Sequence, residues 1–303
     1  MFDTIIIGAG PTGLTAAIYA SRRMMKTLVI SKSIGGQIVW ASEVENYPGI
    51  KAIEGPNLAK NMHEQAKSFG VEIKTEEVNE ITKQADGNFI VKTSQGKYEA
   101  KTVIIAMGLS PKLLNLPKEK ELTGQGISYC ANCDGLFFKG KIVAVVGGGN
   151  AALDAALVMS KIASQVYLIY RKLKLNGFEI SIAKVKNKNN VEIILNSEIV
   201  EILGEKKLEK VKIKNKVDQT VKELKVEGLF IEIGHEPETE LVADLAERDN
   251  QGQVIVDLRG KTSLDGLFAA GDVTQSEYKQ VVIGCGQGAT AALSAYKYLQ
   301  GKK

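Results

Sequence analysis

The chain has few of the residues that build disulfide-stapled or metal-centred folds. Its 303 residues include 3 cysteines and 2 histidines, which is too few for the disulfide framework of a small secreted protein. A closed zinc site needs four ligands. His63, His235 and Cys285 do not stand at ligand spacing from one another or from the pair Cys130 and Cys133. The sequence therefore predicts no metal site.

The chain also lacks a long apolar run, a basic leader segment and a basic stripe interleaved with aromatic residues. We therefore predict no membrane span and no secretory signal. A net charge of +4, with 24% charged residues, argues against nucleic acid as a partner. We expect a cytoplasmic protein of about two domains, since the chain exceeds one average domain in length.

Two glycine-rich loops are present, each between a strand pattern and a helix pattern. Gly8-Ala9-Gly10-Pro11-Thr12-Gly13 follows the apolar run 2–7, and Gly147-Gly148-Gly149-Asn150-Ala151-Ala152 follows the run 141–146. The patterns G-x-G-x-x-G and G-x-G-x-x-A let the backbone approach a pyrophosphate at the start of a helix. Together they predict two dinucleotide sites; the alternative for each loop is a tight turn without a ligand.

The order of the remaining segments predicts an α/β fold with one nucleotide-binding domain inserted into another. A β-rich stretch follows each loop, at 71–98 and 191–233, and glycine and proline concentrate at 108–117 and 234–240. We expect two Rossmann-like, three-layer ββα domains. The first would comprise residues 1–112 and 240–303, and the second residues 113–239. Gly284, Gly286 and Gly288 would form a turn before a closing helix over 289–299.

Between the two loops lies Cys130-Ala131-Asn132-Cys133. A pair at this spacing can close and reopen a small disulfide ring, so we interpret it as redox-active. Asp134 is the adjacent candidate for the proton donor or acceptor that thiolate chemistry needs, or else a turn residue. Phe137 and Phe138 would dock a protein partner, or else pack in the core. Cys285 is interpreted as a small buried residue.

The residues after the second strand of each unit bear on the ligand. Ser31-Lys32 stands where an acidic residue would hold the ribose of NAD, which weakens a plain NAD assignment for the first site. Arg171-Lys172 stands at the matching place of the second unit and suits a 2′-phosphate, hence NADPH, with a solvated basic loop as the alternative. Asp272, after Ala-Ala-Gly, is placed to accept hydrogen bonds from a sugar-like chain.

These motifs together resemble those of the low-molecular-weight thioredoxin reductases of bacteria and archaea. The resemblance runs over nearly the whole chain. The matching segments are Gly8-Ala9-Gly10-Pro11-Thr12-Gly13, Gly35-Gly36-Gln37, Glu43-Val44-Glu45-Asn46-Tyr47-Pro48-Gly49, Cys130-Ala131-Asn132-Cys133-Asp134-Gly135, Gly147-Gly148-Gly149-Asn150 and Phe268-Ala269-Ala270-Gly271-Asp272-Val273.

The resemblance implies a homodimeric flavoprotein disulfide reductase. Electrons would pass from NAD(P)H through FAD and the Cys130–Cys133 disulfide to thioredoxin or a thioredoxin-like protein. Cys133 would lie against the flavin, Cys130 would attack the disulfide of thioredoxin, and Asp134 would serve as general acid. The inserted domain would swing about links near Pro111 and Pro237.

The resemblance also implies which residues bind the two cofactors. FAD would be bound by Gly8, Gly10, Pro11, Gly13, Ser31, Gly35, Gly36, Gln37, Asn46, Val78, Ala106, Gly108, Gly271, Asp272, Lys279, Gln280 and Val281. The nicotinamide dinucleotide would be bound by Gly147, Gly149, Asn150, Ala151, Arg171 and Lys172.

Two positions depart from the family pattern. The family has His-Arg-Arg followed by a third arginine, whereas this chain reads Tyr170-Arg171-Lys172 with Asn176 or Glu179 at the third place. Ala106-Met107-Gly108 replaces the usual Ala-Thr-Gly. The donor therefore stays open between NADPH, NADH and ferredoxin. A flavin-binding redox sensor that signals through its disulfide without catalysis is the alternative function.

Overall fold

The computed structural model describes residues 1–41 and 44–301, so Glu43 of the matched motifs lies outside the described residues. The chain forms two compact units, one of Met1–Ser110 with Glu236–Lys303 and one of Pro111–His235. The second unit is inserted between the two halves of the first.

The first half of the first unit alternates strands and helices. Its elements are β1 (Phe2–Ala9), α1 (Pro11–Arg22), β2 (Thr27–Ile34), a 3₁₀ helix (Gly36–Trp40), α2 (Gly55–Ser68), β3 (Glu72–Thr75), β4 (Val78–Lys83), β5 (Phe89–Thr93), β6 (Lys97–Ile105) and β7 (Leu109–Pro111). The stretch 71–98 is a meander from β4 onward. β3 instead pairs in parallel with β2 and extends the nucleotide-binding sheet.

The inserted unit follows a similar plan. Its elements are α3 (Glu119–Leu122), β8 (Ile127–Ser128), α4 (Ala131–Asp134), a 3₁₀ helix (Gly135–Phe138), β9 (Ile142–Val146), α5 (Asn150–Ser160), β10 (Gln165–Ile169), α6 (Glu179–Lys186), β11 (Val191–Ile194), β12 (Ser197–Leu203), β13 (Lys210–Asn215), β14 (Val221–Lys225) and β15 (Gly228–Ile231). A parallel sheet has the order β11-β10-β9-β15-β8, and β12, β13 and β14 form a separate antiparallel sheet.

The C-terminal segment completes the first unit. Its elements are β16 (His235–Pro237), a 3₁₀ helix (Glu240–Val242), β17 (Leu267–Ala269), a second 3₁₀ helix (Gly271–Val273) and α7 (Val281–Gln300). β17 pairs in parallel with the end of β6. The sheet it joins has the order β3-β2-β1-β6-β5-β4.

The prediction of a glycine turn before the closing helix is wrong, because α7 begins at Val281 and contains all three glycines. A Cβ on Gly284 would lie 2.5 Å from Thr12 Oγ1, and one on Gly288 would lie 2.2 Å from Thr12 O. The missing side chains let α7 pack closely on α1. Cys285, in the same stretch, is buried as predicted.

Apolar side chains cover both faces of each parallel sheet. In the first unit, α1, α2 and α7 cover one face, and residues of β4, β5 and the segment after β16 cover the other. In the inserted unit, α5 and α6 cover one face and the β12-β13-β14 sheet covers the other. The predicted α/β class, with two three-layer units, is confirmed.

Two kinds of feature are absent from residues 1–41 and 44–301. No helix in this range is long and apolar enough to cross a bilayer. No group of three or more histidine, cysteine, aspartate or glutamate side chains in it is arranged to hold a metal ion.

Candidate functional site

The first glycine loop joins the end of β1 to the start of α1. Gly8 has a φ of +111°, and a Cβ on it would lie 2.2 Å from the carbonyl oxygen of Ala106. A Cβ on Gly13 would lie 1.9 Å from the carbonyl oxygen of Gly8. These two glycines are therefore required by the close approach of the backbone to itself.

Gly10 in the same loop has a different environment. The nearest atoms to a Cβ built there are Gly36 Cα at 3.8 Å and Gly35 O at 3.9 Å. Gly35 and Gly36 both have positive φ, and Pro11 occupies the first turn of α1, where a missing N–H costs nothing. Two glycine turns thus face each other at the positive end of a helix, which suits a pyrophosphate.

Two further residues that the resemblance implies for FAD binding, Ser31 and Val78, lie on β2 and at the start of β4. Ser31 accepts a hydrogen bond from the backbone N–H of Glu76 through its carbonyl oxygen, at 3.0 Å. Its neighbour Lys32 forms an exposed ion pair with Glu77, 3.2 Å between Nζ and Oε1. Val78 is buried. Glu77 therefore neutralises the basic residue that stands in the usual place of an acid.

The 3₁₀ helix that begins at Gly271 presents Asp272. The Gly271 N–H donates to Gln287 Oε1 of α7 at 2.9 Å, and a Cβ on Gly271 would lie 2.5 Å from Thr12 Oγ1. Burial raises the pKa of Asp272, and the charge of Lys279 opposes the rise. The first loop and the Gly271 turn thus lie next to each other through Thr12.

Lys279 has three hydrogen-bond acceptors around its ammonium group. Nζ donates to Gln253 Oε1 at 2.6 Å, to Asp272 O at 3.0 Å and to Thr274 O at 2.7 Å. Burial lowers the pKa of Lys279, while Asp272 and Asp249 oppose the shift. An ammonium group has three N–H donors. Lys279 therefore uses its donors to hold the Gly271–Val273 turn.

Two further predicted residues make side-chain contacts within the first unit. Asn46 Nδ2 donates to Gln280 Oε1 at 3.0 Å, next to Val281 at the start of α7. Gln37 Nε2 donates to the carbonyl oxygen of Leu109 at 2.7 Å. Gly108, just before β7, has a φ of +70°. These contacts join the segment after β2 to α7 and to the segment after β6.

The second glycine loop joins β9 to α5. Gly147 has a φ of +143°, and a Cβ on it would lie 2.1 Å from the carbonyl oxygen of Glu232. The nearest atom to a Cβ on Gly149 is Asn176 Oδ1 at 3.7 Å. Ala151, in the first turn of α5, is exposed. The loop repeats the backbone design of the first one, with one tightly packed glycine and one open glycine.

The segment after β10 folds over this second loop. A Cβ on Gly148 would lie 2.4 Å from the ring of Tyr170. The Asn176 N–H donates to Gly148 O at 2.8 Å, and Asn150 Oδ1 accepts from the Phe178 N–H at 2.7 Å. The side chain of Asn150, predicted to bind a dinucleotide, is therefore bonded to the backbone of its own unit.

Arg171 and Lys172 lie exposed just beyond β10. Glu179, one candidate for the place of the family's third arginine, is exposed in the first turn of α6. Asn176, the other candidate, accepts from Tyr170 Oη at 3.2 Å. The segment therefore exposes three cations, of which Arg171 and Lys172 directly follow Tyr170. It has a carboxylate or an amide where the family has a third arginine.

Two carboxyl groups near the second loop were missed by sequence reasoning. Burial raises the pKa of Glu232 to about 7, and the charge of Asp154 on α5 adds to the rise. Burial also raises the pKa of Asp154, against the effect of Lys184. The signal in the sequence is weak: an acid near the end of the apolar run 228–233.

Cys130 and Cys133 form a disulfide at the ends of one short turn. Cys130 is the N-cap of α4, and its Sγ accepts a hydrogen bond from the Cys133 N–H at 3.1 Å. Cys133 is exposed, whereas Cys130 is half-buried. The predicted pair is therefore in bonding contact, with one residue directly accessible.

The Asp134 carboxyl group is fixed at this turn by Ser128, which sequence reasoning also missed. Ser128 Oγ donates to Asp134 Oδ2 at 2.7 Å, and the Asp134 N–H donates to Cys130 O at 3.2 Å. Ser128 is 4% exposed. The carboxyl group thus bonds to a side chain that also contacts the Cys130 backbone.

The two phenylalanines after the disulfide have different environments. Phe137 is 74% exposed, as its neighbour Leu136 is at 76%. Phe138 is 8% exposed and packs edge-on against Phe230, with 5.2 Å between ring centroids. The hypothesis that Phe138 docks a partner is therefore wrong, because its ring fills the core above Gly228.

The comparisons with known proteins agree with this architecture. The family described as pyridine nucleotide-disulphide oxidoreductase matches residues 2–288. The thioredoxin reductase of Bacillus subtilis (strain 168) is 39% identical over 302 residues, which cover 99% of this chain and 95% of that protein. A bifunctional thioredoxin reductase/thioredoxin of Mycobacterium leprae is 39% identical over 300 residues, 98% of this chain and 66% of that longer protein.

A solved structure is similar over the same range. The Lactococcus lactis thioredoxin reductase in its FR conformation superposes with a TM-score of 0.92 at 36% identity, covering 99% of this chain and 100% of that one. Family match, sequence identity and fold therefore agree over nearly the full length. The chain belongs to the pyridine nucleotide-disulphide oxidoreductase family.

Proposed function

We propose that the protein is a thioredoxin-disulfide reductase. Electrons pass from NAD(P)H to FAD, from FAD to the Cys130–Cys133 disulfide, and from the resulting dithiol to thioredoxin. The observation that carries this proposal is the closed Cys130–Cys133 disulfide with the Asp134 carboxyl group fixed beside it. It lies in the unit that also carries the second glycine loop.

The first unit is the FAD-binding domain in this proposal. Gly10 and Gly36 lie against each other without side chains at the start of α1, which leaves the backbone of both turns accessible to a pyrophosphate. Asp272 would accept hydrogen bonds from the hydroxyl chain, and Lys279 holds the turn that presents it. Bound there, FAD supplies a carrier for two electrons between nicotinamide and disulfide.

The inserted unit binds the nicotinamide dinucleotide in this proposal. Gly149, the open glycine of the second loop, would lie against the pyrophosphate at the start of α5. Arg171 and Lys172 are exposed and accessible to a 2′-phosphate, which favours NADPH over NADH. The Asn176–Phe178 segment lies over the loop. A bound dinucleotide would therefore either displace this segment or contact it.

The dithiol transfers its two electrons by disulfide exchange. Cys130 loses its proton to Asp134 and attacks the thioredoxin disulfide as a thiolate, which breaks the thioredoxin S–S bond and forms a mixed disulfide. The first thioredoxin sulfur to leave takes the proton of the Cys133 thiol. Cys133 then attacks Cys130 Sγ and releases the second thioredoxin sulfur, and Asp134 gives that sulfur its proton. The Cys130–Cys133 disulfide re-forms, and thioredoxin ends as a dithiol. Exposed Phe137 and Leu136 form the apolar contact for thioredoxin.

Further features of the proposal come from the resemblance to the family. The protein is a cytoplasmic homodimer, and the links near Pro111 and Pro237 act as the hinge between the two nucleotide-binding units. Size-exclusion chromatography coupled to light scattering gives the mass of the particle in solution. A mass near twice 32.8 kDa supports the dimer; a monomer mass at working concentration overturns it.

The electron donor is identified by anaerobic titration. FAD-loaded protein is mixed in turn with NADPH, NADH and reduced ferredoxin, and flavin absorbance is followed. Because FAD and the Cys130–Cys133 disulfide each take two electrons, complete bleaching of the flavin at two equivalents of NADPH is the expected result. Bleaching by ferredoxin with neither nucleotide effective would overturn the assignment of the second loop as the donor site.

The sulfur roles are tested by single substitutions. Cys133→Ser and Cys130→Ser should each abolish steady-state reduction of thioredoxin, because either change removes the disulfide. Cys285→Ser is the matched control, since Cys285 is the free cysteine of the chain. Continued turnover by Cys133→Ser would refute the proposed roles. A single reduction of thioredoxin by unmodified protein, with no second turnover, would favour the redox sensor.

A further inference from the structure

Ser128 ends β8 and has three hydrogen-bond partners around one oxygen. Its Oγ lies 2.7 Å from Asp134 Oδ2 and 3.2 Å from Cys130 O, both acceptors. It also accepts from the Cys130 N–H at 3.0 Å. The side chain is nearly inaccessible to water, at 4% exposure. Its partners must therefore come from the protein.

The count of donors and acceptors allows two complete arrangements. A hydroxyl group has one hydrogen and two lone pairs. When Asp134 is ionised, the Ser128 hydrogen is donated to Oδ2 and one lone pair accepts from Cys130 N–H. When Asp134 is protonated, its O–H is donated to the second lone pair of Oγ, and the Ser128 hydrogen turns to Cys130 O. Ser128 Oγ accepts from the Cys130 N–H and bonds to Asp134 in both states, and Cys130 O accepts from the Asp134 N–H when the Ser128 hydrogen points to the carboxylate.

We infer that Ser128 is a positioning residue that lets Asp134 give up and regain its proton beside the disulfide without leaving a buried polar group unpaired. The inference rests on the proposed function, in which Asp134 acts as general acid. A hydroxyl is suited to this place because it can reverse its direction of donation, whereas a backbone N–H can only donate.

The role fits the proton balance of the proposed reaction. In one cycle the enzyme dithiol becomes a disulfide, the thioredoxin disulfide becomes a dithiol, and two electrons move with these bonds. The last thioredoxin sulfur to leave does so as a thiolate and takes the proton of Asp134. Asp134 then regains a proton from the thiol that next forms a thiolate or from water. The Ser128 hydroxyl changes direction at each of these two steps.

Few other charged side chains lie on the elements that pack against α4, which contains Asp134. α4 packs against α5 and against the 3₁₀ helix Gly135–Phe138. Along its described length α5 has one charged residue, Asp154, and the segments Gly135–Phe138 and Ile127–Ser128 have none. The two sulfurs are the other titratable groups of the turn once the disulfide is reduced. Ser128 is therefore the close polar contact of the carboxyl group.

The direct test follows the carboxyl carbon of Asp134 by ¹³C NMR in oxidised, FAD-loaded, full-length protein. Asp134→Asn assigns the signal. Ser128→Ala leaves the carboxyl group without this hydrogen-bond partner, so the Asp134 signal should change its chemical shift relative to the unmodified protein at the same pH. Ser128→Thr keeps the hydroxyl and should restore the signal. Ser128→Gly removes the same hydroxyl and replaces the alanine variant if that variant loses FAD.

A second readout is the steady-state kinetics of thioredoxin reduction. Ser128→Ala should lower kcat about tenfold with KM for thioredoxin unchanged, and Ser128→Thr should restore kcat. A purely structural role would lower thermal stability and raise KM as well. Asp154→Asn should leave kcat unchanged. An unchanged Asp134 signal or an unchanged kcat in Ser128→Ala overturns the inference. An unmodified protein that fails to reduce thioredoxin overturns the proposed function, and the NMR result still decides the role of Ser128.

Discussion

The two glycine loops have the same backbone shape and different surroundings. In each, the first glycine has positive φ and its Cβ position lies against a carbonyl oxygen, 2.2 Å from Ala106 for Gly8 and 2.1 Å from Glu232 for Gly147. The open glycine of the first loop faces another glycine turn, at Gly36. The second loop is faced by the Tyr170 ring and the Asn176–Phe178 segment. The repeated motif therefore determines the shape of the turn, and the residues that face the turn determine which ligand fits.

The largest predicted effect of a substitution is in the first loop. Gly13→Ala would place a Cβ 1.9 Å from Gly8 O, so α1 must move, at a cost of more than about 3 kcal/mol. FAD content after purification should fall to near zero. Gly10→Ala is the matched control for folding, because the nearest atom to its Cβ, Gly36 Cα, would be 3.8 Å away. It should keep its circular dichroism and thermal stability but bind FAD weakly. Equal stability of the two variants would contradict the distinction.

Glu232, a half-buried acidic residue, lies beside the second loop, and its effect on the stability of the protein depends on pH. In the unfolded chain its carboxyl group loses its proton near the ordinary glutamate pKa of 4.5, while in the folded protein it holds the proton to a pKa of about 7. Between these values the native state binds more protons, so its stability falls as pH rises. Glu232→Gln removes this loss. It should be more stable than the unmodified protein by about 3 kcal/mol above pH 7 and equal to it near pH 4.

Thermal unfolding from pH 4 to pH 8.5 checks the Glu232 prediction. The difference in midpoint between the two proteins should grow through the window and then level off. Asp154→Asn is the companion variant, since Asp154 raises the pKa of Glu232; it should give a smaller difference of the same sign. A constant difference across the range would show that the substitution acts through packing.

The matching pair of substitutions in the second loop should have smaller effects on stability and binding. Gly148→Ala brings a Cβ within 2.4 Å of the Tyr170 ring, a side chain that can shift, so we expect destabilisation of about 2 kcal/mol. FAD content should not change. Gly149→Ala has its nearest contact at 3.7 Å and should fold normally but raise KM for NADPH. An unchanged KM for NADPH in Gly149→Ala would show that this glycine does not contact the dinucleotide.

The smallest predicted effect concerns the exposed cations. Arg171→Ala should raise KM for NADPH about tenfold and leave that for NADH unchanged, because a 2′-phosphate loses one charge-assisted contact. Lys174→Ala is the matched control from the same exposed segment. Steady-state kinetics with both nucleotides make the comparison. Equal effects of Arg171→Ala on NADPH and NADH would indicate a general effect of charge.

Sequence patterns predicted the parts of the fold that depend on neighbouring residues. The two loops, the strands before them and the Cys130–Cys133 pair are local, so spacing is enough to find them. The predicted start of α7 was wrong because Gly284 and Gly288 look like a turn along the chain, although they are contacts with Thr12. Phe138 looked like its exposed neighbour until Phe230 and Gly228 were placed beside it.

Glu232 and Asp154, two of the missed residues of the site, owe their importance to parts of the fold that are distant along the chain. Glu232 matters because it lies next to Gly147 and near Asp154. Lys279 stays a predicted ligand of the cofactor, and its bonds to Gln253, Asp272 and Thr274 add a supporting role that the sequence did not indicate. Such roles depend on which segments the fold brings together, and spacing along the chain does not encode that.

The late position of β17 and α7 in the chain has a consequence for biosynthesis. The Gly271 turn, the Lys279 contacts and the glycines that face Thr12 all leave the ribosome after the inserted unit has been made. Domains generally fold as units during translation, so the insert can be complete while the first unit still lacks its last strand and helix. Nascent chains that stop before Leu267 would then carry a closed disulfide-bearing unit and no flavin, which makes cofactor loading one of the final events in maturation.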